Sequence, residues 1–327
     1  MKIKVILFHL IAIVLFTACN SNDDSLKLTD IGEPVPLRIA ASIHTQANGI
    51  TRASETSWEA NDKIGVYVTN HNSETLYKDM NEQEGKNIEY TFDDGTNYET
   101  QGRIYRVFTA NSGKIYLSET AVDIYGYYPY SAKKKDGTTD LDPTAIEIDV
   151  SDQTSQEAID LMRAKTANVT NGNAAIELLF KHKLVKLVFN LKQGDGLLPN
   201  ELKEAKSLTM KILGQHYKAT YYIYKEDNQN PFTVNSATTD IYPVRVATAP
   251  TGYVRTFEAI VLPNVEGNPS TNRTIEITFY QKEKDPVTNK FTIPVGTTFE
   301  AGHKYVYNVT VNAVTVTVDT QKYTEQW

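Results

Sequence analysis

Apolar residues in this chain recur at every second position far more often than at every third or fourth. Val35, Leu37, Ile39, Ala41 and Ile43 fall on one side of a segment whose other side carries Arg38, Ser42 and His44. A period of two marks a strand with one buried face, because successive side chains point to opposite sides of the chain. The same reading gives strands at 64–69, 88–92, 103–109, 123–128 and 145–150. A second series follows at 183–191, 207–213, 217–224, 253–262, 273–280 and 304–311. Asp93-Asp94-Gly95, Asn111-Ser112-Gly113 and Asp136-Gly137 supply turns between strands. Two stretches depart from the pattern. Ala158, Ile159, Leu161 and Met162 have helical spacing and predict a helix over 155–164, and 199–206 reads as a helical turn. Long amphipathic helices and strand–helix alternation are both missing, which leaves antiparallel sandwiches as the expected architecture.

A chain of 327 residues exceeds one ordinary sandwich and suits two domains of roughly 130–150 residues each. Asn171-Gly172-Asn173 is the natural break. We therefore expect an N-terminal domain over 34–174, a C-terminal domain over 175–312 and a strand-like extension over 313–327. The net charge of −7 argues against a nucleic-acid partner, which requires a basic face. Twenty tyrosines against four methionines favour pleated, half-buried surfaces.

Met1-Lys2-Ile3-Lys4 is a short basic head, and an apolar run from Val5 to Phe16 leads to Thr17-Ala18-Cys19. This reads as a secretion signal over 1–18, too short for a spanning helix. Cys19 is the only cysteine, so no disulfide is possible within the chain. Its place after Ala18 resembles a bacterial lipobox, in which the cysteine is lipidated and acyl chains hold the protein in the membrane. Residues 19–33 read as a tether. Its polar, acidic start, Asn20-Ser21-Asn22-Asp23-Asp24, resembles the signal that exports Bacteroides-type lipoproteins to the cell surface.

Catalytic patterns are missing. His44, His71, His182, His216 and His303 do not pair at metal-ligand spacing. Neither a nucleophile elbow nor a phosphate-binding glycine loop occurs. The expectation is a non-enzyme without cofactor, whose Asp and Asn loops leave room at most for a loosely held calcium. Tyr127, Tyr128 and Tyr130 around Pro129 suit a sandwich core and rim, with stacking on sugar rings as the alternative. Asp24-Ser25-Leu26 resembles a short acceptor for O-glycosylation.

Several short segments then accumulate in order: Arg52-Ala53 before Trp58, Ile64-Gly65-Val66-Tyr67, Tyr125-Gly126-Tyr127-Tyr128-Pro129, Asp160-Leu161-Met162, Phe180-Lys181-His182-Lys183-Leu184, Val261-Leu262-Pro263 and Ala301-Gly302-His303-Lys304-Tyr305. Behind a lipobox, this set resembles the fimbrillin family of Bacteroides-type bacteria over nearly the whole mature chain. The resemblance implies two transthyretin-like antiparallel β-sandwich domains in tandem. It also implies a surface fimbria built from lipoprotein precursors. A protease trims each precursor after an arginine, and a neighbour's strand fills the vacated groove.

The residues accommodate that scheme. Residues 44–51 are polar, contain Gly49 and lead to Arg52 and Ala53, a linker open to proteolysis. Cutting there leaves the strand of Val35, Leu37, Ile39, Ala41 and Ile43 held by sheet contacts alone. At the other end, Tyr305, Tyr307, Val309 and Val311 are odd-numbered, whereas Val314, Val316 and Val318 are even. A one-residue slip turns an apolar set to the opposite face, so the tail after Asn312 reads as a separate donor strand. Three alternate aliphatic side chains are what an open sheet groove requires. The expected function is a stalk or tip subunit supporting adhesion and biofilm formation. Its partners would be other fimbrial subunits in a homo- or heteropolymer, the outer membrane through the lipid on Cys19, and a host or bacterial surface ligand. Two alternatives stand beside it: a monomeric surface lipoprotein binding glycans or host ligands, and a chain whose first and last strands never leave their sheets.

Overall fold

The computed structural model describes residues 33–44, 57–100, 102–132, 145–173, 175–198, 200–204, 208–264, 273–280, 285–294 and 297–326. Cys19, Arg52 and Ala53 lie outside the described residues, as do the signal segment and all of the tether but Glu33.

The first half contains β1 (Val35–Pro36), β2 (Ile39–Ile43), β3 (Lys63–Asn70), β4 (Ile88–Thr100), β5 (Arg103–Ala110), β6 (Tyr116–Leu117), β7 (Val122–Tyr128), β8 (Ile146–Asp149), α1 (Gln156–Ile159), β9 (Met162–Val169) and β10 (Ile176–His182). The second half contains β11 (Val185–Gln193), α2 (Glu201–Glu204), β12 (Thr209–His216), β13 (Lys218–Tyr221), β14 (Phe232–Val234), β15 (Thr238–Ile241), β16 (Val244–Arg245), β17 (Arg255–Val261), β18 (Arg273–Tyr280), β19 (Pro286–Ile293), β20 (His303–Val311) and β21 (Val316–Gln326).

The all-β expectation holds; among the described residues the strands form a closed barrel, three open sheets and the short β1-β6 pair. In the first unit, seven strands pair in the order β10-β2-β5-β4-β3-β7-β9. Because β9 pairs back to β10, they close into a barrel instead of the two separate sheets of the expected sandwich. Closure removes the open edges that a sheet otherwise leaves unpaired. Ile39, Ile64, Val66, Phe92, Phe108 and Phe180 fill its interior. In the second unit, a five-stranded sheet, β16-β17-β11-β20-β21, shares a core with a four-stranded one, β15-β12-β18-β19. Leu187, Phe189, Ile212, Ile275, Ile277 and Tyr307 lie in that core.

The third sheet, β14-β13-β8, joins the halves, since β8 comes from the first and pairs with β13 from the second. Under it lies a separate core of Tyr67, Tyr125, Tyr127, Tyr221 and Tyr224 with Ile148 and Ile260 among its aliphatic members. This core explains why β3 and β7 are buried along nearly their whole length. Their alternate residues serve two cores, with Ile64, Val66 and Val68 turned into the barrel and Tyr67 into the junction. Gly65 on β3 leaves room for the Tyr127 ring, because a Cβ there would lie 2.0 Å from Tyr127 Cε1.

Four expectations need correction. The division after residue 174 does not match the sheets. β10 pairs with β2 and β9, so the change of sheet falls between His182 and Val185. The helix over 155–164 shrinks to the four residues of α1, and Met162 already opens β9. Asp93-Asp94-Gly95 is not a turn: β4 runs through it with a register shift between Phe92 and Asn97. Pairing is mixed, because β2 runs parallel to β10 and β11 runs parallel to β20.

These two parallel pairs fix directions. The NH of Gly302 donates to Leu184 O (2.8 Å), so β11 and β20 both start at the junction and run to the far end of the second unit. β10 ends at the junction, so β2, parallel to it, also runs toward the junction.

Candidate functional site

The first candidate element is β2. It lies between β10 and β5, with Ile39 opposite both Ile176 and Phe108 and Ile43 opposite Phe180. Ile39, Ala41 and Ile43 are buried in the barrel core, together with Leu37, and Val35 packs half-buried against it. On the face expected to meet solvent, Ala40 and Ser42 within β2 are buried, while Arg38 before it is exposed. Bonds beyond the ladder hold both ends: Ile176 NH to Arg38 O (2.9 Å), Leu37 NH to Ile115 O (2.8 Å) and His44 NH to Phe180 O (2.7 Å).

Trp58 clasps the strand. Its indole Nε1–H donates to Ala41 O (3.1 Å), and its ring meets Phe108, Tyr128 and Phe180 edge-on at centroid distances of 5.2, 5.4 and 5.1 Å. His44, directly after β2, and Trp58 therefore both lie at this strand.

A cavity of about 210 Å3 opens beside the end of β2, lined by Ile43, Trp58, Asp62, Tyr128, Glu157 and His182 among others. One hydroxyl faces two carboxylates there: Tyr128 Oη lies 2.8 Å from Glu157 Oε1 and 3.2 Å from Asp62 Oδ1. Burial, with Glu157 and Glu59 adding to it, holds the Asp62 carboxyl above its usual range, against the Glu59 NH and the Tyr128 hydroxyl that favour its charge.

The second candidate element is the tail. The sequence predicts a strand that leaves the body; the structure returns it as β21, antiparallel to β20 with Val316 opposite Val311 and Val318 opposite Val309. β21 is the edge of its sheet, with Val316 and Val318 only half-buried against the second core. Val314, in the connecting turn, is 82% exposed.

Tyr127 and Tyr128 are buried, the first in the junction core and the second in the barrel core, and Tyr130 is partly buried against the junction core. The Tyr127 and Tyr128 rings are core members, as the core-and-rim reading expects, and Tyr130 lies at the rim. The histidines hold local structure: His71 Nδ1 lies 2.7 Å from Asp123 Oδ1, and His182 Nδ1 lies 2.9 Å from Asp160 Oδ2. Among the described residues no helix is long and apolar enough to cross a membrane. Sequence reasoning quoted Trp58 as a family mark but missed its clasp, which no periodicity reveals.

Fold and site together define a two-unit, strand-built protein with a fully enclosed first strand and a loosely covered last one. The chain belongs to the fimbrillin-like family, which matches residues 51–327, a family of structural fimbrial proteins. Over 343 aligned residues it is 27% identical to Fim1C, a candidate fimbrium subunit of Bacteroides uniformis, covering all of this chain and 96% of that protein. A crystal structure of a candidate cell adhesion protein from Bacteroides uniformis superposes with a TM-score of 0.59 at 26% identity, covering 88% of this chain and 96% of the other. A candidate cell adhesion protein from Bacteroides ovatus gives a TM-score of 0.61 at 19% identity, covering 90% and 98%, and so supports the fold.

Proposed function

We propose that this chain is a fimbrial subunit, stalk or tip, that joins its neighbours by strand exchange at the cell surface. In this reading Cys19 carries the lipid that holds the precursor in the outer membrane. Cleavage after Arg52 severs β2 from the rest, β2 leaves, and Val314, Val316 and Val318 of another subunit take the places of Ile39, Ala41 and Ile43. Adhesion and biofilm growth follow from the polymer.

The observation that carries the reading is a contrast in burial. β2 is enclosed on both faces between two partner strands, so its departure opens a deep slot. Burial of a single Ile or Leu stabilises by about 1.5–3 kcal/mol, and the slot also exposes unpaired backbone groups on β5 and β10. An empty slot is therefore costly and takes up any matching strand. β21 is the reverse case, an edge strand whose Val316 and Val318 are only half-buried, preceded by Val314 in solvent. Direction agrees as well. A tail prolonging β20 leaves the far end of the second unit. In a subunit stacked head to tail it enters at the start of β2 and runs as β2 did, parallel to β10 and antiparallel to β5.

The test is a disulfide between Thr310→Cys and Thr317→Cys, register partners across β20 and β21. After cleavage of the precursor with a trypsin-class protease, the oxidised protein should stay monomeric on a denaturing gel run without heating. Adding reductant should restore the ladder. Ladders from the oxidised protein would rule out exchange of β21.

A further inference from the structure

The turn between β20 and β21 is fastened more heavily on one side than on the other. Asn312 is its centre. Asn312 Oδ1 accepts the NH of Asp195 (2.9 Å), and Asn312 O accepts Nδ2 of the buried Asn289 on β19 (3.0 Å). Next to these, the NH of Ala313 donates to Asp195 O (3.0 Å) and the NH of Gly194 donates to Val311 O (2.8 Å). Gly194 is required for this approach, because a Cβ there would lie 2.0 Å from Asn312 Oδ1 and 2.7 Å from Thr310 Cγ2. All four bonds tie the end of β20 to the loop after β11 and to β19. Neither partner belongs to the tail.

Toward the tail the fastening is thin. Asn312 meets Thr315 twice, NH to O (2.8 Å) and Nδ2 to Oγ1 (3.2 Å). Val314 between them is in solvent. Opening β21 therefore breaks two bonds at the turn plus the ladder, while the other four are unaffected by it.

We propose that Asn312 is the anchor of a hinge: residues through Ala313 stay bound to the far end of the second unit, and the segment that moves begins at Val314. This rests on the reading that β21 departs, and it deepens that reading by assigning the pivot. The anchor keeps β20 in register with β11 while its outer partner is gone. It also sets the donor's length, because the first side chain released is Val314 and the next two are the half-buried Val316 and Val318.

Native-state amide hydrogen exchange on the uncut full-length chain tests both levels, since local openings expose amides in cooperative units. The amides of Gly194, Asp195 and Ala313 should exchange with the slow core of β11 and β20. Those of 316–320 should exchange at least about tenfold faster, as a unit. In Asn312→Ala, the amides of Asp195 and Ala313 should join the fast set while β2 and β7 keep wild-type rates, which shows that the variant is folded. If the amides of Asp195 and Ala313 exchange together with 316–320 in the wild type, the hinge lies before Asn312 and this inference fails, although tail exchange survives. If 316–320 are as slow as β20, the tail is not separable and the parent reading fails.

Discussion

At the scale of single residues, Trp58 controls how firmly β2 is seated. Truncating a buried aromatic costs about 3–5 kcal/mol through lost contacts and the cavity left behind. Trp58→Ala removes edge-on packing against three rings together with the bond to Ala41 O. Trp58→Phe keeps most packing and leaves a buried carbonyl without its donor, a loss of about 1–3 kcal/mol. Urea unfolding should rank wild type above Phe and Phe above Ala; equal midpoints for Phe and wild type would show that the bond to Ala41 carries no stability. Asp62 gives a pH signature. Its folded-state carboxyl is raised above its unfolded value, so the folded state holds the proton more tightly and stability falls as pH rises through that window. Asp62→Asn should therefore be more stable than wild type at pH 7, with the gap closing as pH drops below the ordinary carboxylate range. A gap independent of pH would assign the effect to packing. Neither residue's role was legible in a single sequence, since Trp58 reaches back 17 positions and the Asp62–Tyr128–Glu157 cluster joins three separate segments.

At the scale of elements, the alternation of apolar residues located most strands, and its failures have identifiable causes. The helix expected over 155–164 came from reading Ile159, Leu161 and Met162 as one face. Ile159 and Leu161 belong to the junction core and Met162 to the barrel core, so two burials at different places imitated one helical stripe. The parity slip at Asn312 is accounted for by the pairing of β20 with β21. Val311 faces Val316 and Val309 faces Val318. A hairpin whose partner numbers sum to an odd value pairs odd with even positions on the same face, so the slip marks a turn. Val316 and Val318 thus face the second core as part of β21 and are only half-buried there, while Val314 stays in solvent. Val316→Asp should leave the precursor folded, with a loss of about 1–2 kcal/mol typical of a half-buried edge position, and should abolish ladders after cleavage. Calorimetry and a gel check the two halves; a precursor that unfolds would show that β21 belongs to the second core as firmly as β20.

At the scale of the molecule, the junction decides whether the two units act as one body. Gln153 spans it with three bonds: its Nε2–H2 donates to Val150 O (2.7 Å) and Ile260 O (2.9 Å), and its Oε1 accepts the NH of Ile260 (2.8 Å). Arg163 and Lys165 on β9 meet Glu226, and Lys183 meets Asp227 (2.8 Å). Beneath them Tyr224 contacts Tyr67 and Tyr125, with ring centroids 6.4 and 4.9 Å away. A junction with its own apolar core and with hydrogen bonds and ion pairs across it is unlike a flexible linker. It links the barrel that holds β2 to the sheet that holds β21 through packed strands. Such coupling predicts a single cooperative melting transition for the uncut chain, with calorimetric and van't Hoff enthalpies equal. Tyr224→Ala opens a cavity in this core at a cost of about 3–5 kcal/mol, and only at the junction. The variant should melt in two steps, one for the barrel and one for the second unit, while the oxidised Thr310→Cys/Thr317→Cys protein should still melt in one. A single transition in Tyr224→Ala would mean that the ion pairs and Gln153 alone join the units, and then replacing Gln153 by Ala in the same background should produce the split.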